Sequence, residues 1–150
     1  MSKNAVEKKI KPVKIMIFGT FDGIHKGHMN FFKQARDLSK TPYLIVSIAR
    51  DKNVKKIKGK SPIKNEKERE ELVRKIKIVD KVILSGLTNH IPHIVKETPD
   101  IIALGYDQVE YIKNLKKDLK EKKLSPKIIR LKPYKEHIYK NTLLKKLATK

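Results

Sequence analysis

Ile15-Met-Ile-Phe-Gly-Thr-Phe-Asp-Gly-Ile-His-Lys-Gly-His28 is the stretch that decides the fold. Val13 to Phe18 reads as a strand that is apolar on both faces, the mark of a central parallel strand. A Gly/Asp-rich turn follows, and then a helical pattern opens. Strand, small-residue turn and helix start together make a phosphate site, because the N–H groups at a helix N-terminus are unpaired and carry partial positive charge. Gly19, Gly23 and Gly27 let a ligand approach the main chain. His25 and His28, three apart on a first helical turn, share one face, and Gly27 between them keeps it open. Two imidazoles beside a helix N-terminus suit an anion better than a cation. A zinc site from Asp22, His25 and His28 would want three ligands and an open position. It ranks lower because the chain has no cysteine and its other histidines are far along the sequence. An ordinary surface helix start is the third reading, and the preceding strand and Gly19-Thr-Phe-Asp22 weigh against it.

Outward from this stretch the pattern repeats. A helix is predicted over 26–39, with Phe31, Ala35 and Leu38 facing the sheet. Tyr43 to Ala49 reads as a second strand. Residues 50–62 read as a long basic loop closed by Gly59 and Pro62, a length that is usually functional or disordered. Asn65-Glu-Lys-Glu68 resembles a capping box opening a helix with Leu72, Val73 and Ile76 inward. A third strand covers 80–84, and a short helix 90–97 carries Pro92 in its first turn. A fourth strand covers 100–104, a helix 109–123, a fifth strand 127–131, and Asn141 caps a final helix over 142–148. His90, His93 and His137 have no partner pattern and read as surface residues.

Strands alternating with helices predict one α/β domain: a Rossmann-like doubly wound fold with a five-stranded parallel sheet, order 3-2-1-4-5. The Gly19–His28 turn then lies at the C-terminal edge of the sheet beside the topological switch point, where such sheets bind ligands. Residues 1–12 form a basic flexible tail, and 13–150 form the domain. Neither Gly-x-Gly-x-x-Gly nor a Walker A sequence is present, so dinucleotide-oxidoreductase and P-loop readings lack their fingerprints.

The chain's 150 residues suit one core. Without cysteine there is no disulfide framework, thiolate metal site or thiol nucleophile. No apolar run approaches the ~18–20 residues that span a bilayer, and no apolar signal segment opens the chain, so a cytoplasmic location without membrane partners is expected. The net charge of +21 raises the alternative of a basic nucleic-acid-binding domain. Lysines scattered through every segment and an aromatic content of 6% give that alternative no base-stacking platform.

Gly19-Thr-Phe-Asp-x-x-His25-x-Gly-His28 resembles the signature of the cytidylyltransferase-like nucleotidyltransferases, and the likeness extends more weakly over nearly the whole chain. That resemblance implies transfer of a nucleoside monophosphate from ATP or CTP to a phosphorylated acceptor, with Mg²⁺ bound mainly through the nucleotide phosphates rather than by protein ligands. It implies that His25 and His28 contact the α- and β-phosphates, with Gly19, Thr20, Phe21, Asp22 and Gly27 forming the cradle. By position it implies that Lys55 and Lys58 hold the triphosphate and that Arg69 contacts phosphate. Gly105, Tyr106 and Asp107 would meet the base or ribose, or orient the acceptor. Asn141 and Thr142 stand where relatives carry Ser-Thr at the start of the last helix, and the arginine that precedes it in relatives has no clear match in this chain. Ala49-Arg-Asp51, Lys58-Gly59 and Gly105-Tyr-Asp-Gln108 look like the archaeal FAD synthases of the family, which implies adenylyl transfer to FMN. Cytidylyl transfer to glycerol 3-phosphate or a similar phospho-alcohol is the alternative. Family members are commonly dimers, so the resemblance allows a homodimer, while the sequence itself does not count subunits.

Overall fold

The structure, a computed structural model, describes residues 11–86, 89–106, 108 and 114–134. Five strands form one all-parallel sheet: β1 (Val13–Gly19), β2 (Pro42–Ile48), β3 (Lys81–Leu84), β4 (Ile101–Leu104) and β5 (Lys127–Arg130). Their order is β3-β2-β1-β4-β5, as the sequence predicts. The helices are α1 (Lys26–Arg36), α2 (Asp51–Lys58), α3 (Glu66–Arg74), α4 (Ile91–Glu97) and α5 (Leu115–Glu121).

Because side chains alternate across a strand, β1 feeds two cores. Ile15 and Ile17 pack with Phe32 and Ala35 of α1 and Val73 of α3. Met16 and Phe18 pack with Ile91 and Ile94 of α4 and Leu115 and Leu119 of α5. Residues 15–17 have no exposed surface, and each such side chain contributes about 1.5–3 kcal/mol of transfer free energy. The chain order reverses between β1, which pairs with both β2 and β4, and β4. The crevice at the carboxyl ends of these strands is therefore the ligand position expected of this topology.

One segment departs from the sequence reading. Residues 51–58 form α2, where a long loop is predicted. Its lysines hide a short helical signal. Asp51 sits in the first turn and Lys55, Lys56 and Lys58 in the last, matching the helix dipole. Val54 is buried, and Gly59 closes the helix at φ 81°, where its N–H returns to Lys55 O. Asn65 caps α3 and Glu68 returns the bond to the Asn65 N–H, as predicted. The two helix starts also hold one another. The Asp51 N–H donates to Glu66 Oε1 at 3.0 Å and the Glu66 N–H donates to Asp51 Oδ2 at 3.1 Å. Helix α1 ends at Arg36 rather than at residue 39, with Asp37 and Leu38 in a turn. Of the helix predicted over 109–123, α5 supplies residues 115–121; residues 109–113 and the predicted helix 142–148 lie outside the described residues.

Candidate active site

The turn between β1 and α1 is fixed from four directions. Phe21 adopts φ 53°, a left-handed conformation that is costly for a residue with a side chain. Its ring compensates by packing into the core, 5.3 Å from Phe32, and edge-on to His28 at 5.3 Å. Gly19 makes room for that ring, since a Cβ there would lie 2.5 Å from Phe21 Cζ. The Asp22 carboxylate accepts from the N–H groups of Ile63 and Lys64, both at 2.7 Å. Those N–H groups, Lys64 first, hold its carboxyl below the usual carboxylate range. Arg69 reaches the turn from α3, donating to Thr20 O at 2.8 Å.

At the start of α1 the two histidines cap the helix. His25 Nδ1 accepts from the N–H of Gly27 at 3.0 Å and of His28 at 3.4 Å, and His28 Nδ1 accepts from the His25 N–H at 3.3 Å. The rings stack at 3.8 Å with planes 22° apart. In a neutral imidazole whose Nδ1 accepts, the proton sits on Nε2; the tautomer is assigned here from the bonding pattern. Both rings therefore carry their N–H at the end remote from the main chain. This revises the sequence-based picture of open main-chain amides: the Gly27 and His28 N–H groups are bonded to His25, and Met29 N–H to His25 O. The capping box thus fixes the orientation of both rings at the mouth of the turn.

Both histidines line a cleft of about 1560 Å³ at the carboxyl edge of the sheet. A single small-molecule site is usually ~300–1,000 Å³, so the cleft is large enough for two reactants. Gly19, Thr20, Phe21, Asp22, Gly27, Lys58, Gly105 and Tyr106 line it too. Lys55 does not appear among the lining residues; one turn of α2 directs Lys56 and Lys58 to the cleft instead. Arg69 is a correction. It is fully buried, and its guanidinium bonds Asp51 at 2.7 Å, Lys64 O at 3.1 Å and Thr20 O. Its surroundings make it a clamp behind the turn rather than a surface contact for phosphate. Asp107, Asn141, Thr142 and His137 lie outside the described residues.

The loop after β4 is locked by Gln108, whose Oε1 accepts from Gly105 N–H at 2.7 Å and whose Nε2 donates to Phe18 O at 2.9 Å. Arg130 donates to the carbonyls of Gly105 and Tyr106. Asn53, Lys56, Ser85, Asn89, Lys132 and Tyr134 also line the cleft. They escaped the sequence reading because each stands alone, without motif or spacing. His90 and His93 correct the expectation of surface histidines. Both are half-buried and pack edge-on against Phe18, each at 6.2 Å. His93 Nε2 pairs with Ser47 Oγ at 2.9 Å. Burial pushes the His93 pKa down to about 4, with neighbouring His90 adding to the shift, and burial lowers His90 as well.

Similarity to known proteins extends over most of the chain. Residues 16–145 match the cytidylyltransferase-like family. The chain is 42% identical to the FAD synthase of Thermococcus sibiricus over 84% of each chain. It is 43% identical to the FAD synthase of Methanothermus fervidus over 81% of this chain and 83% of that one. The crystal structure of the lipopolysaccharide core biosynthesis protein from Thermoplasma volcanium superposes with a TM-score of 0.75 at 32% identity, covering 83% of this chain and 99% of that one.

Proposed function

The chain belongs to the cytidylyltransferase-like family, and from that membership we propose that it is an FAD synthase that transfers AMP from ATP to FMN. It is a nucleotidyltransferase, and its FAD synthase relatives extend over most of its length. The observation that carries the mechanism is the stacked pair His25–His28 lining the cleft at the start of α1, each ring fixed by an Nδ1 bond to main chain.

The FMN phosphate has its second pKa near ~6 and is largely a dianion at neutral pH, so no general base is required. One of its oxygens attacks the α-phosphorus of ATP. The new P–O bond forms as the bond to the bridging oxygen breaks, and pyrophosphate leaves with that electron pair. The protein's contribution is alignment and charge stabilisation. His25 and His28 donate to the α- and β-phosphoryl oxygens, and Lys58 with Lys56 adds positive charge at the polyphosphate. Thr20 and Gly27 shape the floor, Gly105 and Tyr106 border the base or ribose, and Arg69 with Asp22 holds the turn in register. Asp107, Asn141 and Thr142 complete the proposed set on sequence grounds.

Mg²⁺ belongs to the proposal as an ion carried on the nucleotide. Both oxygens of Asp22 are engaged by main-chain N–H groups, and no group of three His/Cys/Asp/Glu side chains converges among the described residues. The donor set fits an ion held by phosphate oxygens, where it would neutralise charge on the departing pyrophosphate. A cytoplasmic homodimer completes the proposal. None of the described helices is long and apolar enough to cross a membrane.

The test is formation of FAD from FMN with ATP, with CTP plus glycerol 3-phosphate as the competing arm. Pyrophosphate release with the second pair and none with the first overturns the assignment.

A further inference from the structure

Two buried hydroxyls stand at the carboxyl edge of the sheet on its α4 side. Ser47, on β2, is 1% exposed and bonded to His93. Ser85, just past β3, is 2% exposed, and its Oγ has no hydrogen-bond partner. By strand alternation Ser85 shares the face of Ile83, which packs in the Phe18–Ile94 core. Buried hydroxyls in native proteins are normally bonded, and an exception calls for an explanation. Ser85 lines the cleft together with Phe18, Ile91 and Ile94.

The character of this end of the cleft differs from the phosphate end. Ser85 itself, just past β3, lies two strands from β1, roughly 10 Å by strand spacing, while Phe18 of β1 also borders the cleft. Its walls are the apolar Phe18, Ile91 and Ile94 with the uncharged amides of Asn53 and Asn89, and the histidine beneath them is neutral at neutral pH because burial holds its pKa at about 4. Arg50, the nearest guanidinium, donates Nε–H to the Ser85 carbonyl and pairs with Glu66. A neutral apolar wall with one unanswered hydroxyl suits an uncharged planar ring that has a polar edge. It does not suit a phosphate.

We propose that Ser85 is a specificity-determining residue whose Oγ hydrogen-bonds the polar edge of a heteroaromatic ring seated against Phe18, Ile91 and Ile94. This rests on the FAD synthase reading, in which adenine and isoalloxazine both carry such an edge.

The experiment uses the full chain and its Ser85→Ala variant. FMN binding is followed by flavin fluorescence, and binding of a non-hydrolysable ATP analogue by calorimetry. One of the two ligands is expected to weaken by roughly 3–10-fold, the worth of one net hydrogen bond, while the other stays within twofold. Loss with FMN assigns the isoalloxazine; loss with the analogue assigns adenine. The melting temperature of the free variant is expected to equal or exceed the parent's, because the deleted hydroxyl has no partner to lose. Ser85→Cys, similar in volume but a weak hydrogen bonder, is expected to weaken the same ligand. Parent-like affinity for both ligands overturns the proposal, as does an equal loss of both with a lowered melting temperature. A parent chain that makes no FAD while Ser85→Ala weakens one ligand sinks the proposed activity and leaves this site standing.

Discussion

Gly27→Ala separates catalysis from stability. Gly27 is the second residue of α1 and lies between the two histidines. A Cβ there would sit 2.8 Å from His25 Cε1 and 3.0 Å from Nδ1, closer than side chains pack. The imidazole must swing away, breaking its 3.0 Å bond from Gly27 N–H and its 3.8 Å stack on His28. Loss of a helix cap costs about 0.5–2 kcal/mol, while Gly→Ala within a helix returns about 1 kcal/mol. The two nearly cancel, so folding stability should change by no more than about 1 kcal/mol. In the proposed mechanism turnover has no such compensation, because the displaced His25 ring no longer reaches the phosphate. A displacement of about 1 Å at a reacting group costs on the order of 10²-fold, and loss of one such donor about 10²–10³-fold. The assay is chromatographic separation of FAD from FMN over time, beside a urea melt. A Gly27→Ala enzyme that turns over within threefold of the parent would refute the reasoning. On a His25→Ala background the same substitution should add no further loss, since it acts only through that ring.

His28→Ala should lower kcat by about 10²–10³-fold with little change in melting temperature; undiminished turnover removes it from the phosphate contact. Arg69→Met strips Asp51, Thr20 O and Lys64 O of their partner, and urea titration should show a loss of about 3 kcal/mol. That is the low end for breaking a buried pair, because Asp51 is itself 36% exposed; an unchanged midpoint contradicts the clamp. His93, with its folded pKa depressed to about 4, binds fewer protons folded than unfolded between there and the ordinary ~6.5. Stability should therefore fall as pH drops through that window, and His93→Gln should flatten the fall; identical pH profiles by thermal melting count against it. Asp22, depressed below its ordinary range, stabilises above about pH 4, so the melting deficit of Asp22→Asn at pH 7 should shrink as pH falls below 4.

The sheet was legible because β1, β2 and β4 are nearly unbroken apolar runs, a pattern that parallel strands covered on both faces require. The histidine pair was legible because its chemistry is local, confined to four residues at a helix start. Helix α2 was obscured by composition: five lysines and arginines surround Val54, its one buried side chain. Arg69 was misjudged, and the hold on Asp22 was missed, for another reason. Their partners lie far along the chain, as with Arg69 and Thr20 or Asp22 and Lys64. Nothing near an arginine in sequence tells whether its guanidinium faces solvent or a distant carbonyl. Likewise, Ser85 acquires meaning only from the strand and helix folded over it.

The reciprocal bonds between Asp51 and Glu66 close a small ring of chain on itself. What runs between them is tied to the β1–α1 turn as well, through the Ile63 and Lys64 N–H groups on Asp22 and the Lys64 carbonyl on Arg69. A change of length in that segment would therefore pull on the histidine-bearing turn as well as on α2, so loop and turn are constrained as one unit.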